Sequence, residues 1–264
     1  NFLGQKTFEL FLKINGFAGT FLIGAAVSTL ISGASFTVDA NHFMHWQNPL
    51  RGLEALLDPF NWLLGLALIF LVRILAALYF INNIDEAHIR ERARKSIVKN
   101  AVPFLLFFLA FVGWLLLRGG AAYDPQTMVV SMEPYKYLHN LLAMPAVLVM
   151  FALAVLLVLA ALFGSVVRKD TRCIWTGGIG TVLVGTALFL LLGLNHTAFY
   201  PSLADLQSSL TIQNASGSRY TLTVMSYVSL MVPFVLAYIA YAWYSMDRVK
   251  LTQNEIEAPD AHNY

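Results

Sequence analysis

Charged residues and cysteines are scarce in this 264-residue sequence. Asp, Glu, Lys and Arg make up 12% of the residues, about half of the ~25% that soluble domains carry. The single cysteine, Cys173, excludes an internal disulfide and a cysteine metal cage, and we interpret it as a small residue near a helix start. Hydrophobic residues reach 58%. This composition excludes an ordinary soluble domain and indicates an integral membrane protein.

The sequence also lacks the motifs of common nucleotide-binding, redox and haem-attachment sites. The chain has no Walker-type loop, no G-x-G-x-x-G on a strand–helix unit, and no CxxC or CxxCH. Its basic residues cluster at the ends of hydrophobic segments and do not form one basic surface, so we expect no nucleic-acid partner. We therefore predict no catalytic, cofactor-binding or metal-binding residue in this chain.

Six hydrophobic segments are long enough to cross a bilayer, whose hydrocarbon core of ~30 Å needs about 20 helical residues. The predicted spans are residues 7–32, 62–81, 101–117, 141–163, 175–194 and 222–244. They predict an all-α fold, a polytopic membrane helix bundle over residues 1–250 with six transmembrane helices, followed by a polar tail at 251–264. Pro103 falls in the first turns of the third span, and Pro233 should kink the sixth.

Basic residues alternate between the two ends of these spans. Twelve of the 17 Lys and Arg lie on one side, five of them in the 84–99 segment, and four lie on the other side. Short loops rich in Lys and Arg stay cytoplasmic. We therefore predict that the 84–99 loop and both termini are cytoplasmic, and that the 195–219 loop is periplasmic.

Three ionisable residues are candidates for buried polar or pathway positions, because charged groups are costly inside a bilayer and often mark function. Arg73 lies near the centre of the second span, Glu9 near the cytoplasmic end of the first, and His196 at the outer end of the fifth. No Asp or Glu lies at the depth of Arg73 in these spans. We expect Arg73 to face protein and to have its main partner outside this chain; the alternative is a structural Arg held by neighbouring hydroxyls and carbonyls.

The other histidines allow two metal hypotheses. His42 and His45 form an H-x-x-H pair, but no further metal ligand is near them. His139 and His196 stand at the outer ends of two spans, where a histidine can ligate haem iron. We favour interfacial or surface positions for all four.

Small residues recur every fourth position in the first span, at Gly16, Thr20, Gly24 and Ser28. Residues four apart share one face of a helix, and small side chains let another backbone approach closely. We predict that this face is a close helix–helix contact.

Several short sequence segments resemble those of subunit II of cytochrome bd quinol oxidase. They are Tyr200 with Pro201, residues 209–216, 221–225 and 233–238, and a second set at 56–66 and 88–94. The likeness follows the chain in order over essentially its whole length and is closest to members from Bacteroidetes-type bacteria. None of these phrases is catalytic.

The resemblance implies a haem-free subunit II in the bacterial inner membrane, and a chain that is the C-terminal two-thirds of a larger subunit of about nine helices. In the family, haems b and d and the quinol-oxidising loop belong to subunit I. We therefore expect subunit I, quinol and membrane lipid as partners, with a quinone or lipid as the one ligand this chain could hold. Its role would be to scaffold subunit I and to line proton and oxygen access.

Two other functions stay open at this point. One is a secondary transporter, with Arg73 as the anchor for an anionic substrate and Pro233 as a hinge; such a fold needs inverted repeats, which the sequence does not show. The other is a purely structural assembly subunit.

Overall fold

A computed structural model describes residues 4–247. In chain order its helices and strands are α1 Gln5–Ser32, β1 Phe36–Val38, β2 Met44–Trp46, α2 Pro59–Asn83, α3 Ala87–Leu117, β3 Gly120–Tyr123, β4 Val130–Glu133, α4 Lys136–Ala143, α5 Pro145–Val166, α6 Cys173–Gly193, α7 Ile212–Ala215, α8 Arg219–Ser229 and α9 Val232–Asp247. Short 3-10 helices lie at Leu53–Leu57 and Leu206–Ser208. The tail predicted at 251–264 lies outside the described residues.

Six helical segments of the described chain are long and apolar enough to span a membrane. They are α1, α2, α3, α5, α6 and the consecutive pair α8 and α9. The predicted all-α polytopic bundle is therefore confirmed, and the protein is a multi-pass membrane protein. Its β-strands form two short antiparallel hairpins outside the spans, β1 with β2 and β3 with β4.

The third span begins earlier than we predicted. Residues 84–99 were expected to be a loop, but α3 starts at Ala87, so the basic residues occupy its first turns. Residues 87–99 contain no Gly or Pro and are rich in Ala, Arg, Lys and Glu, which favour helix. Pro103 consequently lies inside α3 and not in the first turns of a helix.

Capping residues explain two other boundary shifts. α2 begins at Pro59, where Asp58 accepts a hydrogen bond from the Phe60 N–H (2.9 Å) and proline is favoured. α5 begins at Pro145 and not at residue 141, because proline starts a helix readily but cannot continue the one before it. Residues 141–143 end the separate helix α4.

The small-residue face of α1 is a close contact in one half only. A Cβ atom on Gly24 would lie 2.7 Å from the Gly65 Cα atom of α2, and Ser28 is fully buried. A Cβ on Gly16 would meet no atom within 4 Å. The prediction is therefore confirmed at Gly24; Ser28 is buried and Thr20 half-buried on the same face, while Gly16 lies in open space in the described chain.

The core lies where α2, α3, α5 and α6 pack together. One buried cluster includes Ile74, Ile97, Phe104 and Leu162. A second cluster, toward the other end of the bundle, includes Phe60, Phe111, Leu115, Tyr137 and Leu191. α2, α3, α5 and α6 are thus held together by apolar contacts.

The three long connections between spans fold together at one end and form what we call the cap. The Val38 N–H donates to Ser208 Oγ (2.9 Å), and Val130 and Gln207 exchange two hydrogen bonds of 3.0 and 2.8 Å. At the opposite end, Arg94 donates to the carbonyl of Ser165 (3.3 Å). The connections therefore alternate between ends as predicted, and the assignment of the cap to the periplasm stays a prediction.

The last span is broken and lies apart from the bundle. The break between α8 and α9 falls at Leu230 and Met231, just before Pro233, so the predicted kink is confirmed. No residue from Arg219 to Met246 is buried within the described chain. Its large apolar side chains include Leu222, Phe234 and Tyr238, each at least half exposed.

Candidate functional site

An apolar cavity of about 510 Å³ lies among five of the spans. α1 contributes Val27 and Ile31, and the other walls come from α2, α3, α5 and α6. Side chains that line it include Leu64, Leu68, Leu71, Phe104, Phe108, Phe151, Val155, Leu188 and Leu192. The volume falls in the range of small-molecule sites, ~300–1,000 Å³.

Among the described residues, Thr181 carries the only polar side chain in the lining. Its Oγ1 donates to the carbonyl oxygen of Gly177 at 2.8 Å, so its proton is already used within α6. The lining that residues 4–247 provide contains no titratable side chain. The cavity can therefore hold or pass an apolar molecule, but this lining offers no nucleophile, acid or base.

A buried amide network connects the end of the bundle to the cap. Asn140 Nδ2 donates to the carbonyl oxygen of Leu191 (3.0 Å) and to Thr197 Oγ1 (2.7 Å), and its Oδ1 accepts from Asn195 Nδ2 (2.9 Å). Asn140 and Thr197 are fully buried. The network ties α4, the end of α6 and the following connection into one unit.

A second amide, Asn61, does the same for α1 and α2. It is fully buried, and its Nδ2 donates to Ser32 Oγ (3.0 Å) and to the Ala55 carbonyl (2.7 Å). The last turn of α1, the Leu53–Leu57 helix and the first turn of α2 are therefore held together. Both amides position the cap-side ends of spans that line the cavity.

Charged groups concentrate at the edge of the cap. The Glu133 carboxylate contacts His139 Nδ1 (2.8 Å) and Lys136 Nζ (2.9 Å). The hydrogen bond from His139, and then that from Lys136, lower the pKa of Glu133. The Lys136 side chain is only 7% exposed, which this carboxylate makes tolerable.

Arg118 extends this charged edge to α2. It lies 3.7 Å from Asp58, and its guanidinium carbon is 5.1 Å from the centroid of the Phe60 ring. Burial raises the pKa of the neighbouring Tyr137 to about 12. Of these groups only His139 was singled out from the sequence, and there as a possible haem ligand; the spacing of Glu133, Lys136 and His139 at three-residue intervals is the signal that could have found the cluster.

The structure does not bring Arg73, Glu9 and His196 into one site. Arg73 lies in the middle of α2 with its guanidinium 5.6 Å from the Phe17 ring centroid, and Glu9 lies toward the start of α1. His196 lies in the cap, edge-on to the Tyr123 ring at 5.5 Å. All three side chains are exposed on the surface of the described chain. Their roles as pathway residues stay predictions.

Two of the other histidines, His45 and His139, each contact one carboxylate. His45 Nε2 lies 3.1 Å from Asp39 Oδ2, and that hydrogen bond, after the one from the Phe43 N–H, lowers the pKa of Asp39. His139 contacts Glu133, as described above. Among residues 4–247, no group of three or more His, Cys, Asp or Glu side chains is placed to hold a metal ion.

Comparison with known proteins matches nearly the whole chain to one family. The family model described as cytochrome bd terminal oxidase subunit II matches residues 2–246. Over 258 residues the chain is 27% identical to cytochrome bd-I ubiquinol oxidase subunit 2 of Escherichia coli strain K12, a match that covers 92% of this chain and 65% of that protein. The corresponding proteins of E. coli O6:H1 and O157:H7 match with the same values. The chain thus spans 65% of the length of these curated relatives.

Proposed function

This chain belongs to the cytochrome bd terminal oxidase subunit II family, and on that premise we propose that it serves as the haem-free subunit of a quinol:oxygen oxidoreductase. The complex would oxidise quinol and reduce oxygen in the respiratory chain of a bacterial inner membrane. The observation that carries this proposal is the family match over residues 2–246, together with the six spans. No feature of the described residues favours the transporter or the purely structural alternative.

The positions of the histidines in this chain support placing the haems on the partner subunit. Haem iron needs an axial ligand such as histidine, and the histidines at the span ends do not fit that role. Both lie in the cap, outside the membrane spans: His139 is on α4 and His196 is at the surface beside Tyr123. We therefore assign haems b and d and quinol oxidation to the partner, subunit I.

The scaffolding role is supported by the exposed spans. α8 and α9 present large apolar side chains along their whole length, and Phe8, Phe11 and Leu12 of α1 are more than half exposed. In a membrane, helices associate by close packing and not by a hydrophobic driving force, so such faces suit either lipid or another helix. We assign the α8 and α9 face to subunit I.

The cavity supports a second part of the proposal. Its apolar lining suits dioxygen, which is itself apolar, and equally the chain of a quinone or a lipid. We assign the cavity to access or storage of such a molecule within the complex. Proton access would use other groups, because the described lining has no titratable side chain.

Purification through a tag on the full-length subunit tests this function. We expect a second membrane protein to co-purify, the preparation to show haem b and haem d absorption, and quinol to drive oxygen uptake. After the subunits are separated, the haem should stay with the partner. A tagged chain that purifies without any haem protein, or that transports a solute in vesicles, would contradict the proposal.

A further inference from the structure

Buried polar atoms without a hydrogen-bond partner are few in the part of the chain that the structure describes. There are four among residues 4–247: Ser28 Oγ, Glu54 Oε1, Asn61 Oδ1 and Ser165 Oγ. Leaving such an atom unpaired destabilises a protein, so buried polar groups are normally satisfied by protein or by ordered water. Two of the four, those of Ser28 and Asn61, belong to helices α1 and α2, which pack against each other.

Ser28 and Asn61 lie at the same level of the contact between α1 and α2. On α1, Ser28 is one helical turn from Gly24 and one turn from Ser32, so the three share a face. Gly24 lies against Gly65, which is one turn from Asn61 on α2. Ser32 Oγ accepts a hydrogen bond from Asn61 Nδ2 (3.0 Å). Ser28 is therefore held opposite Asn61, between two contacts that join the helices.

The two side chains are placed to share a third group. Both are fully buried. Asn61 Nδ2 donates to Ser32 Oγ and to the carbonyl oxygen of Ala55 (2.7 Å), which fixes the orientation of the amide and leaves its Oδ1 as an acceptor. The Ser28 hydroxyl can both donate and accept, yet within the described residues it bonds neither to Asn61 nor to any other group. The pair therefore needs a molecule that donates to Asn61 Oδ1 and also bonds to the hydroxyl.

Ser28 differs in this respect from other hydroxyls of the spans. Thr20, Thr181 and Thr186 each donate to the carbonyl oxygen four residues earlier in their own helix, at 2.7, 2.8 and 2.9 Å. This bond satisfies a hydroxyl without any group outside the helix. Ser28 does not form it with the carbonyl oxygen of Gly24. Its hydroxyl is therefore directed to the space between the helices.

We propose that an ordered water molecule binds between α1 and α2, donates to Asn61 Oδ1 and is hydrogen-bonded to the Ser28 hydroxyl. Water is small and carries both donors and acceptors, whereas an apolar molecule would satisfy neither atom. Buried waters typically make about three hydrogen bonds, and the hydroxyl of Ser32, one turn from Ser28, can provide the third. The inference concerns the contact of the two helices and is independent of the proposed activity.

This water site adjoins the wall of the apolar cavity. Val27 and Ile31 of α1 and Leu64 of α2 line the cavity. Val27 and Ile31 are one and three residues from Ser28, and Leu64 is three residues from Asn61. The water therefore helps to hold the part of α1 that closes the cavity against α2.

A density map of the full-length subunit in its native complex, at a resolution that shows ordered water, tests the site. We expect a peak within about 3 Å of both Ser28 Oγ and Asn61 Oδ1. In the map of a Ser28→Ala complex this peak should be weaker or lost. The proposal is overturned if the wild type has no peak there, if the Ser28 hydroxyl donates to the Gly24 carbonyl, or if Ser28→Ala leaves the peak unchanged.

Thermal unfolding of the purified complex tests whether the two side chains share a partner. Ser28→Ala should lower the melting temperature by about 2–4 °C. Combined with Asn61→Ala it should cost less than the sum of the single effects, because either change already breaks the bridge. Thr186→Ala is the control, since this exposed hydroxyl bonds within α6 and its effect should add fully to that of Asn61→Ala. Fully additive losses for Ser28→Ala and Asn61→Ala would contradict a shared water.

Discussion

Gly24 of α1 lies against Gly65 of α2 so closely that a Cβ atom on Gly24 would stand 2.7 Å from the Gly65 Cα. A Cβ on Gly65 would in turn lie 2.7 Å from the ring of Phe21. This backbone contact is the point at which the first span joins the bundle.

Enlarging Gly24 should separate the two helices. Gly24→Leu must displace the backbone of Gly65, and overpacking of this kind costs about 1–3 kcal/mol. We expect the melting temperature of the purified complex to fall by several degrees. Gly113→Leu in α3 is the matched control, because its Cβ would meet no atom of the described chain within 4 Å. Equal stability of the two variants would show that the crossing is not a close contact.

Filling the cavity should affect access of the apolar molecule that it serves. Gly185 lines the cavity, and a Cβ atom added to it would meet no atom of the described chain within 4 Å, so a side chain can begin there without a clash and Gly185→Leu adds volume at the lining. If the cavity carries oxygen, the variant raises the apparent KM for oxygen and leaves the KM for quinol unchanged. If the cavity stores a quinone or lipid, that molecule is lost from the solvent extract of the complex.

Gly178→Leu is the control for this experiment. Gly178 lies on the same helix, and its Cβ would also meet none of the described atoms within 4 Å, but it lies outside the cavity lining. It should change neither the oxygen KM nor the extract. A Gly185→Leu complex that is identical to the wild type in both measurements would exclude a role for the cavity.

The cap should lose stability in acid through Glu133. The hydrogen bonds from His139 and Lys136 lower the pKa of this carboxyl below 4.5 in the folded protein. Its contribution is therefore present above the unfolded pKa and is lost as the pH falls through the lower, folded pKa. Thermal unfolding of the complex between pH 6 and about pH 3 should show this loss.

His139→Ala should make the acid-induced loss smaller, since it removes the largest cause of the lowered pKa. His88→Ala is the control, because His88 is exposed on α3 at the opposite end of the bundle. If the wild type and His139→Ala lose stability in parallel over the whole range, Glu133 does not contribute in this way.

Orientation can be measured by labelling single cysteines from outside intact cells. Gln126→Cys in the cap should react with an impermeant maleimide, and Arg92→Cys in α3 should react only after the cells are opened. Both positions are exposed, whereas Ser208, on the same side as Gln126, is buried and would label poorly. The native Cys173 is buried and provides an unreactive background. Labelling of position 92 alone would reverse the predicted topology.

Hydropathy and charge predicted the six spans and their alternation because these properties are local to each segment. Helix boundaries differed from the prediction where a helix-capping residue determined the start, as at Asp58 with Pro59. They also differed where a charged segment was itself helical, as in the first turns of α3. The contacts of the cap could not be predicted in the same way. Val38 and Ser208 are 170 residues apart, and Val130 and Gln207 are 77 apart.

The candidate site likewise has parts that could be predicted from the sequence and parts that could not. The isolated charge of Arg73 was visible in the sequence, because a single Arg in an apolar segment needs no partner to be noticed. The cavity was not, because it results from how side chains of five helices pack. The resemblance to subunit II pointed to the family, which the match over residues 2–246 shows.

The most direct test of the proposed function is quinol-dependent oxygen uptake by membranes of a strain lacking this gene, in a background without other terminal oxidases. We predict that uptake and the haem d band are both lost on deletion and both restored by the full-length gene. Restoration should fail with a gene that lacks the segment encoding α8 and α9, while the truncated protein is still found in the membrane. Unchanged oxygen uptake and an unchanged haem d band in the deletion strain would contradict the assignment of this chain to a quinol oxidase.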